Sequence, residues 1–174
     1  MKRAATALVL SLLLASCATE TAGPPPTPAV ASLPSAPVVP PVPSYDEEEL
    51  RCLALTIYWE GRSESHAGQV AIAHVVLNRM RAPQFPRTIC GVVHDGGTHP
   101  LHKCQFQWWC DGKSDSPTNA AQWSEAQRIA RTETASGARD PTGGALYFHN
   151  GAVQPVWTRT RTRTASIGQH IFYR

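Results

Sequence analysis

The sequence has little net charge, no apolar run long enough to span a membrane, and no familiar metal-ligand spacing. Its 16 lysines and arginines stand against 13 aspartates and glutamates in 174 residues. Two of those cations, Lys2 and Arg3, lie in a segment expected to be removed, leaving 14 against 13. Nucleic-acid binding needs a field of cations to neutralise phosphates, and this chain has none to offer. The apolar stretch from Ala4 to Ala15 has 12 residues, whereas a helix crossing a ~30 Å hydrocarbon layer needs about 20. That excludes a polytopic membrane protein. There is no His-Glu-x-x-His and no Cys-x-x-Cys pair, which disfavours a metal-dependent amidase or peptidase. No metal and no cofactor are expected. The length excludes a multidomain enzyme but suffices for a packed core.

What is present is unevenly distributed. A basic start at Met1–Arg3, the short apolar stretch and small residues after it describe a secretory signal peptide over 1–16. Its end, Leu14-Ala15-Ser16-Cys17, resembles a bacterial lipobox, in which Cys17 is lipidated and becomes the new N-terminus. Ala18 after that cysteine resembles outer-membrane sorting, so the expected location is the periplasmic face of the outer membrane. Residues 18–44 hold nine of the 15 prolines. Proline lacks an N–H donor and cannot sustain a helix or ladder, so this segment reads as an extended tether. At ~3.1 Å per residue it reaches at most roughly 80 Å.

The remaining cysteines, Cys52, Cys90, Cys104 and Cys110, are even in number in a chain that carries an export signal. Oxidising compartments favour disulfides. Of the three connectivities, Cys104–Cys110 with Cys52–Cys90 is preferred. His94, His99 and His102 lie nearby, but the spacing matches no common zinc pattern.

Residues 45–174 read as one α+β domain, mainly helical with a small antiparallel β element. Ser44 and Glu47 fit a capping box, and Leu50, Leu53, Ala54, Ile57 and Tyr58 recur at helical spacing, predicting a helix over 45–59 stopped by Gly61. A second helix is predicted over 66–80. Turn residues from Gly91 to Ser116 predict a long loop with short strands, and loops of that length are often functional. Ser116-Pro117 opens a third predicted helix, closed by Gly137. Residues 145–149 and 170–173 read as short strands. The absence of strand–helix alternation argues against a parallel sheet.

Glu60 is the candidate general acid. It falls at the end of the first helix, in Tyr58-Trp59-Glu60-Gly61-Arg62-Ser63-Glu64. The negative end of the helix dipole and flanking aromatics both disfavour the charged carboxylate. A raised pKa is what a proton donor near neutral pH requires. Glu64 is either a second carboxylate for catalysis or, preferably, a structural partner of Arg62 or Arg79 or a cap for the second helix. Gln105, Phe106, Trp108, Tyr147, His149 and Asn150 combine flat faces and amide or imidazole groups suited to sugar rings. His74 reads as a packed histidine. Arg159, Arg161 and Arg163 would share one face if the Thr158–Thr164 run were extended, as a charged edge against aggregation.

Several ordered segments together resemble the SleB-type cell wall hydrolase family, named for the spore-cortex-lytic enzymes. They are Cys52-Leu53-Ala54 with Ile57-Tyr58-Trp59-Glu60, Gly68–Ala73, Val76-Leu77-Asn78-Arg79, Phe85–Val93 and Cys104-Gln105-Phe106 with Trp108 and Cys110-Asp111-Gly112. His149-Asn150, Pro155 with Trp157, and Ile167-Gly168 with His170 and Phe172-Tyr173 complete the series. The resemblance implies a lysozyme-like domain that cleaves peptidoglycan glycan strands, with Glu60 as acid/base and no second carboxylate needed for a lytic transglycosylase. The family's common Glu-Ala-Arg-Gly-Glu is here Glu60-Gly61-Arg62-Ser63-Glu64, so the carboxylates and the arginine are kept. A monomer is expected, with peptidoglycan and, through Cys17, the membrane as partners. The alternative is a lipoprotein that binds peptidoglycan without turning it over.

Overall fold

A computed structural model describes Gly23 and residues 44–96, 104–135 and 138–174. Contacts divide the chain into Met1–Val39 and Pro40–Arg174, and the fold below is that of the second unit. The signal peptide, Cys17, most of the tether, His99, His102 and the Gly137 stop lie outside the described residues.

Among the described residues four α-helices precede a three-stranded sheet: α1 (Glu47–Glu60), α2 (His66–Arg81), α3 (Ile89–Val93), α4 (Ala120–Thr134), β1 (Tyr147–Asn150), β2 (Arg163–Ile167) and β3 (His170–Tyr173). This is the expected α+β class. The first cap differs from expectation. Asp46, not Ser44, is the N-cap of α1 and accepts from Glu49 N–H at 2.8 Å. Glu47 instead pairs with Arg131 of α4 at 2.8 and 2.9 Å. Glu49 is drawn to the orphan N–H groups of Ile89 and Cys90 at the start of α3.

Helix α2 is the centre of the domain. Residues Ala71–Leu77 are all buried, as expected of a helix that is apolar on most of its circumference. On one side Val76 and Leu77 join Leu53, Ile57, Ile89, Val92, Val93 and Ile129 in the helical core. On the other, Ala71 and Val75 meet Ala145 and Phe172 of the sheet region. His74 is 2% exposed and faces Glu133 at 3.0 Å, which accords with a packed histidine.

Helix α4 starts three residues later than Ser116-Pro117 suggests, with Asn119 rather than Ser116 as its cap. The Tyr58 hydroxyl accepts from both Thr118 and Asn119 N–H at 3.1 and 3.2 Å, holding the chain extended until Asn119 caps Gln122 N–H. Among its described residues the long loop holds the end of α3 and a 3₁₀ turn at Gln107–Cys110, not short strands. The sheet has the order β1-β3-β2 and is antiparallel throughout, pairing Tyr147 with Tyr173 and Ile167 with His170. Strand β2 lies outside the sequence-based expectation. The arginine run is not one extended face, because Val156–Thr160 forms a 3₁₀ turn and only Arg163 enters β2. Disulfides join Cys52 to Cys90 and Cys104 to Cys110, the preferred connectivity.

Candidate active site

Helix α1 delivers Glu60 as its last residue. Gly61 closes the helix by donating its N–H to Ile57 O at 2.9 Å. A Cβ there would lie 2.6 Å from that carbonyl and 3.0 Å from Gln69, so a side chain would require the local backbone to shift. The cap therefore ends α1 at a fixed point and turns Glu60 into a cavity of about 470 Å³. Burial raises the Glu60 pKa to about 7, against the opposing pull of Arg79.

Arg79 is the second charged group of the cavity. It is 3% exposed, near the end of α2, with Nε donating to Leu146 O at 2.7 Å. With the Gln105 amide oxygen turned toward it, as the hydrogen-bond network requires, both terminal guanidinium nitrogens donate to that oxygen at 3.0 Å. Rings of Phe85, Phe106 and Tyr147 surround the guanidinium at 5.4 to 5.8 Å. Burial lowers its pKa to about 10, opposed by Tyr147, Glu60 and Asp95. It still carries a full charge near neutral pH. Among the described residues lining this cavity, Glu60 is the one carboxylate, and residues 97–103 include no Asp or Glu.

Of the predicted sugar-facing residues, Gln105, Phe106, His149 and Asn150 line the cavity. The disulfide from Cys104 to Cys110 closes the short loop that carries the first two. His149 has both nitrogens engaged. Nδ1 donates to Asn150 O at 2.8 Å, so Nε2 accepts from the Tyr173 hydroxyl at 3.2 Å. Trp108 does not join this cavity. It packs into the helical core and lines a separate hollow of about 210 Å³ with Trp59, Arg62 and Asp115. Tyr147 is also outside. Its ring is covered by the Arg161 guanidinium at 3.4 Å and packs on Phe85 and Trp157.

Glu64 is not beside Glu60 in the cavity, and it neither pairs with Arg62 or Arg79 nor caps α2. Ser65 is that cap, accepting from Gly68 N–H. Glu64 accepts instead from Gln169 N–H at 3.1 Å and faces His170 at 3.2 Å. Gln107 and Phe148, from the same aromatic stretches, also line the cavity, and Arg79, Cys104 and His170 line it without having been read as sugar-facing. A readable signal exists for Arg79, a cation on the buried stripe of a predicted helix. Among the described residues no group of three or more His, Cys, Asp or Glu side chains is placed to hold a metal ion.

A family model described as Cell Wall Hydrolase matches residues 63–173, beginning just after Glu60. The spore cortex-lytic enzyme of Bacillus subtilis is 36% identical over 130 residues, 74% of this chain and 38% of that protein. The spore cortex-lytic enzyme of Halalkalibacterium halodurans is 33% identical over 129 residues, 74% of this chain and 35% of that one. The chain thus spans well under half the length of these curated relatives. Among solved structures, the catalytic domain of the germination-specific lytic transglycosylase SleB from Bacillus anthracis superposes with a TM-score of 0.57 at 31% identity. That match covers 75% of this chain and 97% of the other. The Bacillus cereus SleB catalytic domain gives 0.56 at 30% identity, covering 76% and 95%. An extended match to the family model, relatives above 30% identity and an agreeing fold have one reading: the chain belongs to the SleB-like cell wall hydrolase family.

Proposed function

We propose that residues 45–174 cleave peptidoglycan glycan strands by lytic transglycosylation, with Glu60 as both acid and base. The observation that carries this is Glu60, the one carboxylate lining the cavity among the described residues, with its pKa raised by burial to about 7 so that it keeps a substantial protonated fraction near neutral pH. Hydrolysis by the usual glycosidase routes needs a second carboxylate, ~5–5.5 Å away for retention or ~6.5–9.5 Å for inversion. Glu64 is turned away to Gln169 and His170, and no other carboxylate lines the cavity among the described residues. A transglycosylase uses the substrate instead. The Glu60 carboxyl gives its proton to the glycosidic oxygen as the bond from that oxygen to the anomeric carbon breaks. The sugar's own 6-hydroxyl oxygen bonds to that carbon, and its proton returns to Glu60, so no water is consumed.

The sequence further supports export and anchoring through a lipidated Cys17, with the Pro-rich tether carrying the domain toward the wall beneath an outer membrane. Digestion of purified sacculi by the 45–174 domain, followed by mass spectrometry, tests the reaction. The expected products end in 1,6-anhydro-muramyl groups. Products heavier by one water, with ends that borohydride reduces, would establish hydrolysis. Intact sacculi that retain the protein would establish binding without turnover.

A further inference from the structure

Glu64 lines no part of the cavity, yet its side chain is only 3% exposed. A buried carboxylate needs partners, and this one is held closely. The Gln169 N–H donates to both oxygens at 3.1 Å. Gly68 and Gly168 border it, and a Cβ at either would collide with Oε2. Gly168 also has φ of +58°, which favours glycine in the turn between β2 and β3. The turn is thereby shaped around the carboxylate, and the residue that follows it, His170, is presented to Glu64 on one side and to the cavity on the other.

His170 Nδ1 stands 3.2 Å from Glu64 Oε1, off the line of a hydrogen bond, and is sealed from solvent with no hydrogen-bond partner. The ring itself lines the cavity with Glu60 and sits edge-on to Phe148 at 5.1 Å. Burial lowers the His170 pKa, with Glu64 opposing and His149 adding to the fall, so the ring is neutral near pH 7. A neutral imidazole carries a single N–H, and the group facing one nitrogen decides where it sits. A carboxylate beside Nδ1 attracts the N–H and repels a lone pair. That electrostatic pull favours the proton on Nδ1, which leaves Nε2 as an acceptor.

That acceptor supplies something the other described cavity residues have largely committed elsewhere. The Gln105 oxygen is occupied by Arg79, the Asn150 side-chain oxygen accepts from Ala152 N–H at 2.9 Å, and His149 has both nitrogens bonded. Arg79 is a donor only. We propose that Glu64 is a positioning residue: it fixes His170 in the Nδ1–H tautomer so that Nε2 accepts a hydrogen bond from a hydroxyl or acetamido N–H of the sugar beside Glu60. The sugar part of this inference rests on the glycan-cleavage reading, whereas the tautomer part does not.

The test combines ¹⁵N NMR of the His170 ring with rates of glycan release. Wild-type protein is expected to show the Nδ1–H tautomer, and E64Q a lower population of it. The rate per folded E64Q molecule should fall roughly ten- to a hundred-fold, the worth of one hydrogen bond to a charged or reacting group. His170→Gln, whose amide reaches the Nε2 position, should retain more activity than His170→Asn, whose amide reaches only Nδ1. An Nε2–H tautomer in wild-type protein, an unchanged tautomer in E64Q, or H170N as active as H170Q would overturn the proposal. If E64Q does not fold, the wild-type spectrum and the His170 pair decide alone. Wild-type protein that releases no glycan would refute the glycan reading and the sugar contact together, while the spectra still decide the Glu64–His170 pairing.

Discussion

A carboxyl whose protonated form is favoured by burial destabilises the fold once it ionises, and Glu60→Gln exposes that cost. The Glu60 pKa is raised from 4.5 to about 7, with burial outweighing Arg79. A shift of that size corresponds to about 3 kcal/mol of differential stabilisation between the two protonation states. The sign follows from proton linkage. Between pH 4.5 and 7 the folded protein binds more protons at this site than the unfolded chain, so stability falls as pH rises through the window. Glutamine is nearly isosteric and stays neutral. Glu60→Gln should therefore match wild type near pH 4 and exceed it by up to about 3 kcal/mol at pH 8, roughly 10 °C in Tm for a domain of this size. Its glycan-cleaving rate should fall by ~10²–10⁴, because an amide cannot donate the required proton. Urea unfolding at pH 4, 6 and 8 alongside sacculus digestion measures both. A stability difference that does not change with pH, or a variant keeping more than a tenth of the wild-type rate, would refute the reasoning.

The disulfides should separate stability from activity. Chain entropy assigns about 4 kcal/mol to Cys52–Cys90, with its separation of 38 residues, and about 2 kcal/mol to Cys104–Cys110, with 6. Removing the first should cost more in unfolding midpoint, while removing the second should cost more glycan-cleaving rate because its loop carries Gln105, Phe106 and Gln107; the reverse order would contradict this placement. Asp140 accepts from Thr142 N–H, Thr142 hydroxyl, Gly144 N–H and Asn78 at 2.6 to 2.9 Å. Its pKa is lowered although burial alone would raise it, as those hydrogen bonds outweigh burial. D140N should cost roughly 1–3 kcal/mol at pH 7, shrinking as pH falls below 3.8 and through the folded value; an unchanged deficit in acid would exclude the carboxylate as its source. Cys17→Ala should move the exported protein from washed membranes to the soluble fraction, and quantitative pelleting of the variant would exclude the lipid anchor.

Local pattern and distant contact divide what is legible in the sequence. Helices α1 and α2 follow from apolar spacing, and the end of α1 follows from Gly61, so the residues alone put Glu60 at a helix terminus. The N-cap is ambiguous because two overlapping boxes exist. Ser44 with Glu47 and Asp46 with Glu49 both fit the pattern, and the choice depends on Arg131 and α3, far away in sequence. The start of α4 is hidden for the same reason, since Tyr58 holds Thr118 and Asn119 from 60 residues away. Trp108 is misleading because aromatic side chains suit sugars and cores equally. The 3₁₀ turn decides between them, leaving Gln107 exposed at the cavity rim and turning Trp108 into the core.

The buried arginine explains how a carboxyl raised to about 7 remains useful after it has given up its proton. In an apolar cavity alone, a newly formed carboxylate would be strongly disfavoured and the proton transfer would be reversed. Arg79 is permanently charged, and its electrostatic pull on Glu60 favours the ionised form that follows transfer. Its own burial is offset by Leu146 O, the Gln105 oxygen and three ring faces, none of which adds a competing negative charge. The two helices therefore contribute opposite halves of one device. Helix α1 brings a carboxyl whose protonated form burial favours, and α2 brings the fixed cation that favours its ionised form. Because that cation is held by the Cys104–Cys110 loop and by the residue preceding β1, the loop and the sheet govern the acid without either supplying a carboxylate. That arrangement would let the proposed acid and base roles rest on one glutamate.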